Sequence, residues 1–355
     1  MNQKKEVQDT ILKEPKKNQA TKEELFAILK TIAPGTNLRA AIDGALKVGK
    51  GALIVVENDS LAPLLDGGFK VNCKFTPQKL MELTKMDGAI TLSKDLKRIT
   101  NANVTLAPDS RIKSSETGTR HKAGERTAKQ TSGLVIAISE RRHEVSIFYK
   151  NMKYILKNTD DILRKANEQI QLLEKHREIF DKHVEKLNAL ELRNYISLNQ
   201  AIKVIQKGKL IQKIAKDLKL HIIELGTEGH LLEIRLKEIV QGVEKETDLV
   251  IKDYTSLNLK KSKSLLEAMS YHELLDNELI LKALAFNSES PIASIKGWRM
   301  MSKTSLPNPE IALVLKEFGS LGKIMHSRIT AYNSLLGEER AIKFKEEIER
   351  IKLNH

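Results

Sequence analysis

Two short stretches hold the residues best suited to chemistry. Met86-Asp87-Gly88-Ala89-Ile90 sets an acid and a glycine at the head of an apolar run. SETGTRHKAGERTAKQT, Ser115 to Thr131, sets Gly118 and Thr119 ahead of Arg120, His121 and Lys122. A carboxylate at a strand head can hold a divalent cation or polarise a hydroxyl, although Asp followed by Gly is also the ordinary mark of a tight turn. Gly118-Thr119 reads as a loop entering a helix, where free backbone N–H groups and a hydroxyl point outward and suit a phosphate. Arg120, His121 and Lys122 crowd the helix end whose dipole disfavours positive charge. Two readings fit the cluster: a solvated basic face, or a bound polyanion such as a triphosphate.

Charge distribution favours the bound anion. Lys94 to Lys129 carries nine Lys or Arg against four acids, whereas Gly297 to His355 carries ten against seven over a longer span. The basic excess is therefore densest around the two stretches. The whole chain, 355 residues with a formal net charge of +14, points the same way, toward nucleotides, nucleic acid or an anionic surface. Aromatic residues make up only 4%, which argues against stacking of single-stranded bases.

Other chemistries are excluded. Gly44-Ala-Leu-Lys-Val-Gly49-Lys50 approaches a P-loop, but Gly51 stands where a Ser or Thr should hold the metal. A helix also precedes it and a strand follows, the reverse of the P-loop order. The single cysteine, Cys73, makes no internal disulfide and no thiolate zinc site, which fits a reducing compartment. MNQKKEVQDTILKEPKKNQ lacks the apolar core of a signal peptide, and no run reaches the length of a membrane span. A cytoplasmic protein without membrane partners is expected.

The elements that must position these residues fall into three textures. Residues 22–157 alternate apolar runs with amphipathic stretches. Strands are predicted at Gly51–Val56, Gly88–Leu92, Asn103–Leu106 and Gly133–Ile138, with Val145–Tyr149 as a hairpin partner; helices are predicted at Leu38–Val48, Pro77–Met86 and Thr119–Thr131. This is an α/β domain, a mixed sheet flanked by helices. Residues 158–290 carry long, charged, helical segments with Ile162, Leu163, Ile170, Leu173, Ile179 and Phe180 near a 3.6-residue period, an all-α spine. Residues 291–355 fit two helix pairs with Gly319 and Gly337 in their turns; residues 1–21 read as a flexible extension. Compact paired helices of this kind are either a DNA-backbone-binding module or an ordinary small helical domain.

Met86-Asp87-Gly88-Ala89 together with Gly118-Thr119-Arg120-His121 resembles the paired signature of diadenylate cyclases. Ala33–Thr36, Leu65–Phe69, Asp95–Arg98 and Ser139–Arg142 agree with it. The order of α/β domain, helical spine and C-terminal helix-hairpin-helix unit is similar to the DNA integrity scanning protein family, the octameric cyclases. The resemblance implies that two ATP molecules become cyclic di-AMP and two pyrophosphates, each 3′-hydroxyl attacking the other α-phosphate across face-to-face domains. Mg2+ or Mn2+ is the implied cofactor. Asp87 would assist the metal and the hydroxyl, with Arg120 and His121 also catalytic. Gly88, Ala89 and Leu106 would line the adenosine pocket. Thr119, Arg120, His121, Lys122 and Ala123 would address the phosphates, with Ser139 a further contact. DNA, branched or damaged, would meet Gly337, Arg340 and Lys343.

The chain departs from the family pattern in three places. Lys122 replaces an arginine, keeping the charge without the planar fork. Ala123 replaces a threonine, removing a hydroxyl. Leu335-Leu336-Gly337 replaces Gly-hydrophobic-Gly in the hairpin, where the first glycine admits DNA phosphate to the backbone. A lost hydrogen bond to a charged group costs about 1.5–3 kcal/mol, so lower turnover or a weaker ATP site is expected. The alternative is a DNA-structure sensor with a weakened or inactive cyclase that keeps nucleotide binding.

Overall fold

The computed structural model describes residues 20–255, 257–285 and 294–353. The expected N-terminal extension, apart from residues 20 and 21, lies outside the described residues, as does the junction at 290–291. The described chain divides into two compact units. One runs to Lys165 and includes Leu220–His230; the other holds Ala166–Lys219 and continues from Leu231.

The first unit is built on strands β1 (Ala52–Val56), β2 (Leu65–Asp66), β3 (Phe69–Lys74), β4 (Ala89–Leu92), β5 (Arg98–Leu106), β6 (Leu134–Ser139), β7 (Glu144–Tyr149) and β8 (Met152–Leu156). Their order is β2-β5-β4-β1-β6-β7-β8, with β3 also on β5. Only β1 and β4 run parallel, so the sheet is mixed. Helices α1 (Lys22–Thr31), α2 (Asn37–Val48), α3 (Pro77–Leu83) and α4 (Thr119–Thr131) accompany it.

Both faces of the central strands are covered, which is why β1 reads as an unbroken apolar run. Ile54, Ile90, Ile136 and Ile138 join one core with Leu38, Ile42 and Leu80 of α2 and α3. Leu53, Val55, Val135 and Ala137 join a second core with Ala128 of α4. The alternation follows from side chains pointing to opposite faces along a strand. Leu220 and Ile223 pack against the first core. Gly49 ends α2 at φ 71°, and β1 follows, the helix-then-strand order that excluded a P-loop.

The second unit is helical. It contains most of α5 (Thr159–Leu192) and α6 (Leu198–Leu225), then α7 (His230–Val240), α8 (Val243–Tyr254), α9 (Leu259–Ala268), α10 (Tyr271–Leu275) and α11 (Asn277–Ala283). After the undescribed stretch come α12 (Trp298–Met301), α13 (Asn308–Phe318), α14 (Leu321–His326), α15 (Thr330–Leu336) and α16 (Glu338–Leu353). A buried ionic group joins α12 to α5 and α8. Arg299 pairs with Glu191 at 2.5 Å and Glu246 at 2.9 Å, while Tyr254 donates to Glu191 at 3.0 Å. Asp253 accepts the N–H groups of Gly297, Trp298 and Arg299 at 2.7–2.9 Å. Removing one partner from such a group would strand an uncompensated buried charge. The last four helices close around Tyr332, whose ring lies 5.1 Å from that of Phe318 and 5.2 Å from that of Phe344.

Candidate active site

The register of the sheet gathers the two sequence motifs at one end. β1 and β4 run parallel with Leu53 beside Ala89; β6 runs against β1 with Ile138 beside Ala52; β5 runs against β4 with Val104 beside Ala89. The starts of β1 and β4 and the ends of β5 and β6 therefore share an edge. That edge carries Gly51, Asp87, Gly88, Ala89, Leu106 and Ser139. The N-terminus of α4 reaches it as well, since Arg120 Nη2 lies 3.8 Å from Asp87 Oδ1.

Asp87 is wholly exposed at this edge, with the Arg120 side chain one-third exposed beside it. Gly88 is required first by the fold. It sits at φ 84°, and a Cβ there would stand 2.8–3.0 Å from the backbone of Asn103 and Val104. What approaches Gly88 closely in this structure is β5. Ala89 and Leu106 belong to the second core, with Ala123 packed against it.

Gly118 is the N-cap of α4 and supplies no side-chain cap, so the helix presents its first N–H groups uncapped. Thr119 is exposed on the first turn and Lys122 half-buried. Ser139 accepts the N–H of Arg142 at 3.3 Å, closing the turn between β6 and β7.

His121 is buried, edge-on to Phe148 with ring centroids 6.4 Å apart, and its Nε2 has no hydrogen-bond partner. Burial pulls its pKa below the ordinary imidazole value, against the opposing field of Glu116. The ring is therefore neutral at pH 7, and Arg120 and Lys122 carry the positive charge of the helix start.

The remaining cations of the stretch have other partners. Arg126 donates to the Ile112 carbonyl at 2.8 Å, and Lys129 to the Lys113 carbonyl at 2.9 Å and to Glu125 at 2.7 Å. Buried Glu125 also accepts the N–H of Ser115 at 2.9 Å and the Ser114 hydroxyl. Burial alone would raise this carboxyl, but hydrogen bonds from Lys129 and Ser114 hold it below its ordinary value. Glu116, also buried, pairs with Lys153 and lies 4.0 Å from Arg142. Residues 112–116 are thus fastened to α4 from one side and to the β7–β8 hairpin from the other.

Sequence reasoning missed Glu116, Glu125 and Gly51. The two acids stood inside the basic stretch, but their charge was read only as part of a balance. Among the described residues no three candidate metal ligands gather. No helix among the described residues is long and apolar enough to cross a membrane.

At the C-terminus, Gly337 joins α15 to α16, and Arg340 and Lys343 are exposed on α16. Arg340 pairs with Glu310 at 2.5 Å, and Leu336 is buried.

Comparison with known proteins accounts for this arrangement. The nucleotide-binding model of the DisA bacterial checkpoint controller matches residues 39–153, and the model of that controller's linker region matches residues 156–292. The chain is 40% identical to the DNA integrity scanning protein DisA of Bacillus subtilis (strain 168) over 342 residues, 94% of this chain and 95% of that protein. It is 38% identical to the protein of the same name from Clostridium acetobutylicum over 338 residues, 93% of this chain and 95% of that one. With the mixed sheet, the paired motifs at its edge and a match along nearly its whole length, the chain belongs to the DNA integrity scanning protein family and carries a diadenylate cyclase, a nucleotidyltransferase, in its N-terminal region.

Proposed function

We propose that the chain condenses two ATP molecules into cyclic di-AMP and two pyrophosphates across the cyclase domains of two copies. The observation that carries this reading is the meeting of fully exposed Asp87 with Arg120 at the uncapped start of α4. The triphosphate of one ATP lies against the first N–H groups of α4, the Thr119 hydroxyl, Arg120 and Lys122. Its adenosine rests on Gly88, Ala89 and Leu106, with Ser139 at the rim. One such edge serves one nucleotide, so the 3′-hydroxyl that attacks the α-phosphate belongs to the ATP of a facing copy. Each attack forms one phosphodiester and releases one pyrophosphate; two attacks close the ring.

Aligning two polyanions is the main barrier, so fixed geometry and fixed positive charge supply much of the catalysis. Asp87 takes the proton side of the reaction, orienting the attacking hydroxyl. Neutral His121 is a buried brace that sets the first turn of α4 against Phe148. A single exposed carboxylate completed by nucleotide phosphates suits Mg2+ or Mn2+, which when bound offsets phosphate charge. Asp87 would hold it.

The names of the relatives and the exposed Arg340 and Lys343 beside Gly337 support DNA binding by the C-terminal helices. We assign residues 22–157 to the cyclase, 158–290 to the spine and 291–355 to DNA, with a homo-octamer as the working assembly. Incubation of the full chain with ATP and Mg2+ or Mn2+, followed by chromatography for cyclic di-AMP, tests the reaction. Product from an oligomeric preparation supports it. Retained ATP binding without product under either metal favours the nucleotide-gated DNA sensor instead.

A further inference from the structure

We propose that Gly51 is a positioning residue for the cyclase reaction: its missing side chain is the slot in which the Arg120 guanidinium lies. The inference rests on the assignment of Arg120 to the ATP phosphates.

Gly51 is buried immediately before β1, at the edge that carries Asp87. Its backbone does not demand glycine, since it lies outside the positive-φ residues of the chain. Space does. A Cβ on Gly51 would overlap Arg120 Nη1 and sit 3.5 Å from Arg120 Cζ, with the Ile138 carbonyl oxygen at 3.3 Å. The guanidinium occupies the volume that any other residue would fill.

The comparison with Gly88 separates a fold requirement from a functional one. At Gly88 the obstructing atoms are backbone atoms of β5, which cannot yield without breaking the sheet. At Gly51 the obstruction is the far end of a flexible side chain, which can swing away while the fold persists. A methyl group at Gly51 thus displaces Arg120 foremost, with the Ile138 carbonyl giving way by only a few tenths of an ångström.

The position of that guanidinium matters because Arg120 is the arginine on the first turn of α4, while the nearby Arg142 of the β6–β7 turn pairs with Glu116 and Glu144. Lys122 is a point charge, and Arg126 is committed to the Ile112 carbonyl. The ion-pair partner of Arg120 among the described residues is Asp87, at a loose 3.8 Å. That contact leaves the fork free to turn, so the Gly51 slot sets its lie. A shift of about 1 Å in a positioning group can cost about a hundredfold in rate.

The test is Gly51→Ala in the full chain, read by cyclic di-AMP formation and by binding of 3′-deoxy-ATP, which keeps the triphosphate but cannot cyclise. Expected are an unchanged oligomer, kcat/KM lowered about ten- to a hundredfold, and weaker 3′-deoxy-ATP binding. Arg120→Lys, with a slimmer head, should cost little more in the Gly51→Ala background than Gly51→Ala alone, a non-additive pair. Wild-type turnover and binding in Gly51→Ala, or additive losses in the double variant, would overturn the slot. If Gly51→Ala lowers the melting midpoint, Arg120→Ala in the same background should restore it; a midpoint that stays low also overturns the slot. If the wild type forms no product, the proposed reaction fails, and 3′-deoxy-ATP binding by Gly51→Ala still decides the slot.

Discussion

Arg120 and Asp87 face each other at 3.8 Å across the open edge of the sheet, and the Asp87 carboxylate is otherwise in solvent. An ion pair so exposed contributes little to stability. The fold gains almost nothing from it; in the proposed reaction, its place at the meeting of two motifs serves the nucleotide that both residues address.

Asp87→Asn should therefore leave the unfolding free energy within about 0.5 kcal/mol of wild type and the oligomer intact, while product formation is lost. Chromatography of ATP reactions alongside size-exclusion measurements checks this. Undiminished turnover in the variant would remove Asp87 from the chemistry.

Lys122→Arg restores a planar fork beside Arg120. One charged hydrogen bond regained is worth about 1.5–3 kcal/mol, so kcat/KM should rise about tenfold or more. Ala123→Thr should yield less, because Ala123 packs against the core of Leu53, Leu106 and Val135 and a larger residue must be fitted there. Initial rates of the two variants and their combination check the order. A Lys122→Arg enzyme no faster than wild type would show that this side chain does not touch the phosphates.

The same stretch shows what a sequence can disclose. The helix at Thr119–Thr131, the apolar strands β1, β4, β6 and β7, and the paired motifs were all legible, because each is a local pattern. The division of labour within the basic cluster was not. Arg126 and Lys129 hold loop carbonyls and Glu125, while Arg120 reaches Asp87, and these partners are chosen by tertiary packing. β3 and β8 also escaped notice. Both lie away from the centre of the sheet, and their half-exposed alternation, with Lys70, Lys74 and Lys153 on them, dilutes the strand signal. Gly51 was read as the residue that breaks a P-loop and as the start of a strand; its close approach to the Arg120 side chain, far along the chain, is a tertiary contact that no local pattern discloses.

For the C-terminal helices, Arg340→Glu and Lys343→Glu should weaken binding to branched DNA across sequences, each flattening the salt dependence by about one counterion. Lys343 should matter more per residue, since Arg340 is already paired with Glu310. Salt titrations of a labelled junction check this. Equal affinity and slope in both variants would place the DNA surface elsewhere.

Glu224 gives the first unit a pH dependence with a definite sign. It is buried, neither carboxylate oxygen has a hydrogen-bond partner, and Lys157 Nζ stands 3.7 Å away. Burial pushes this carboxyl from 4.5 up to about 7, while burial and then Lys165 hold Lys157 below its ordinary value, so the pair offsets little. The folded state thus keeps a proton that the unfolded chain releases near 4.5. The contribution is full below that value and is lost as pH rises through about 7. Glu224→Gln, which cannot ionise, should flatten the fall in stability between pH 5 and 8 and exceed wild type at pH 8 by about 1–3 kcal/mol. Urea midpoints of both proteins across that range check it. Parallel curves would show that Glu224 does not change its charge on unfolding there.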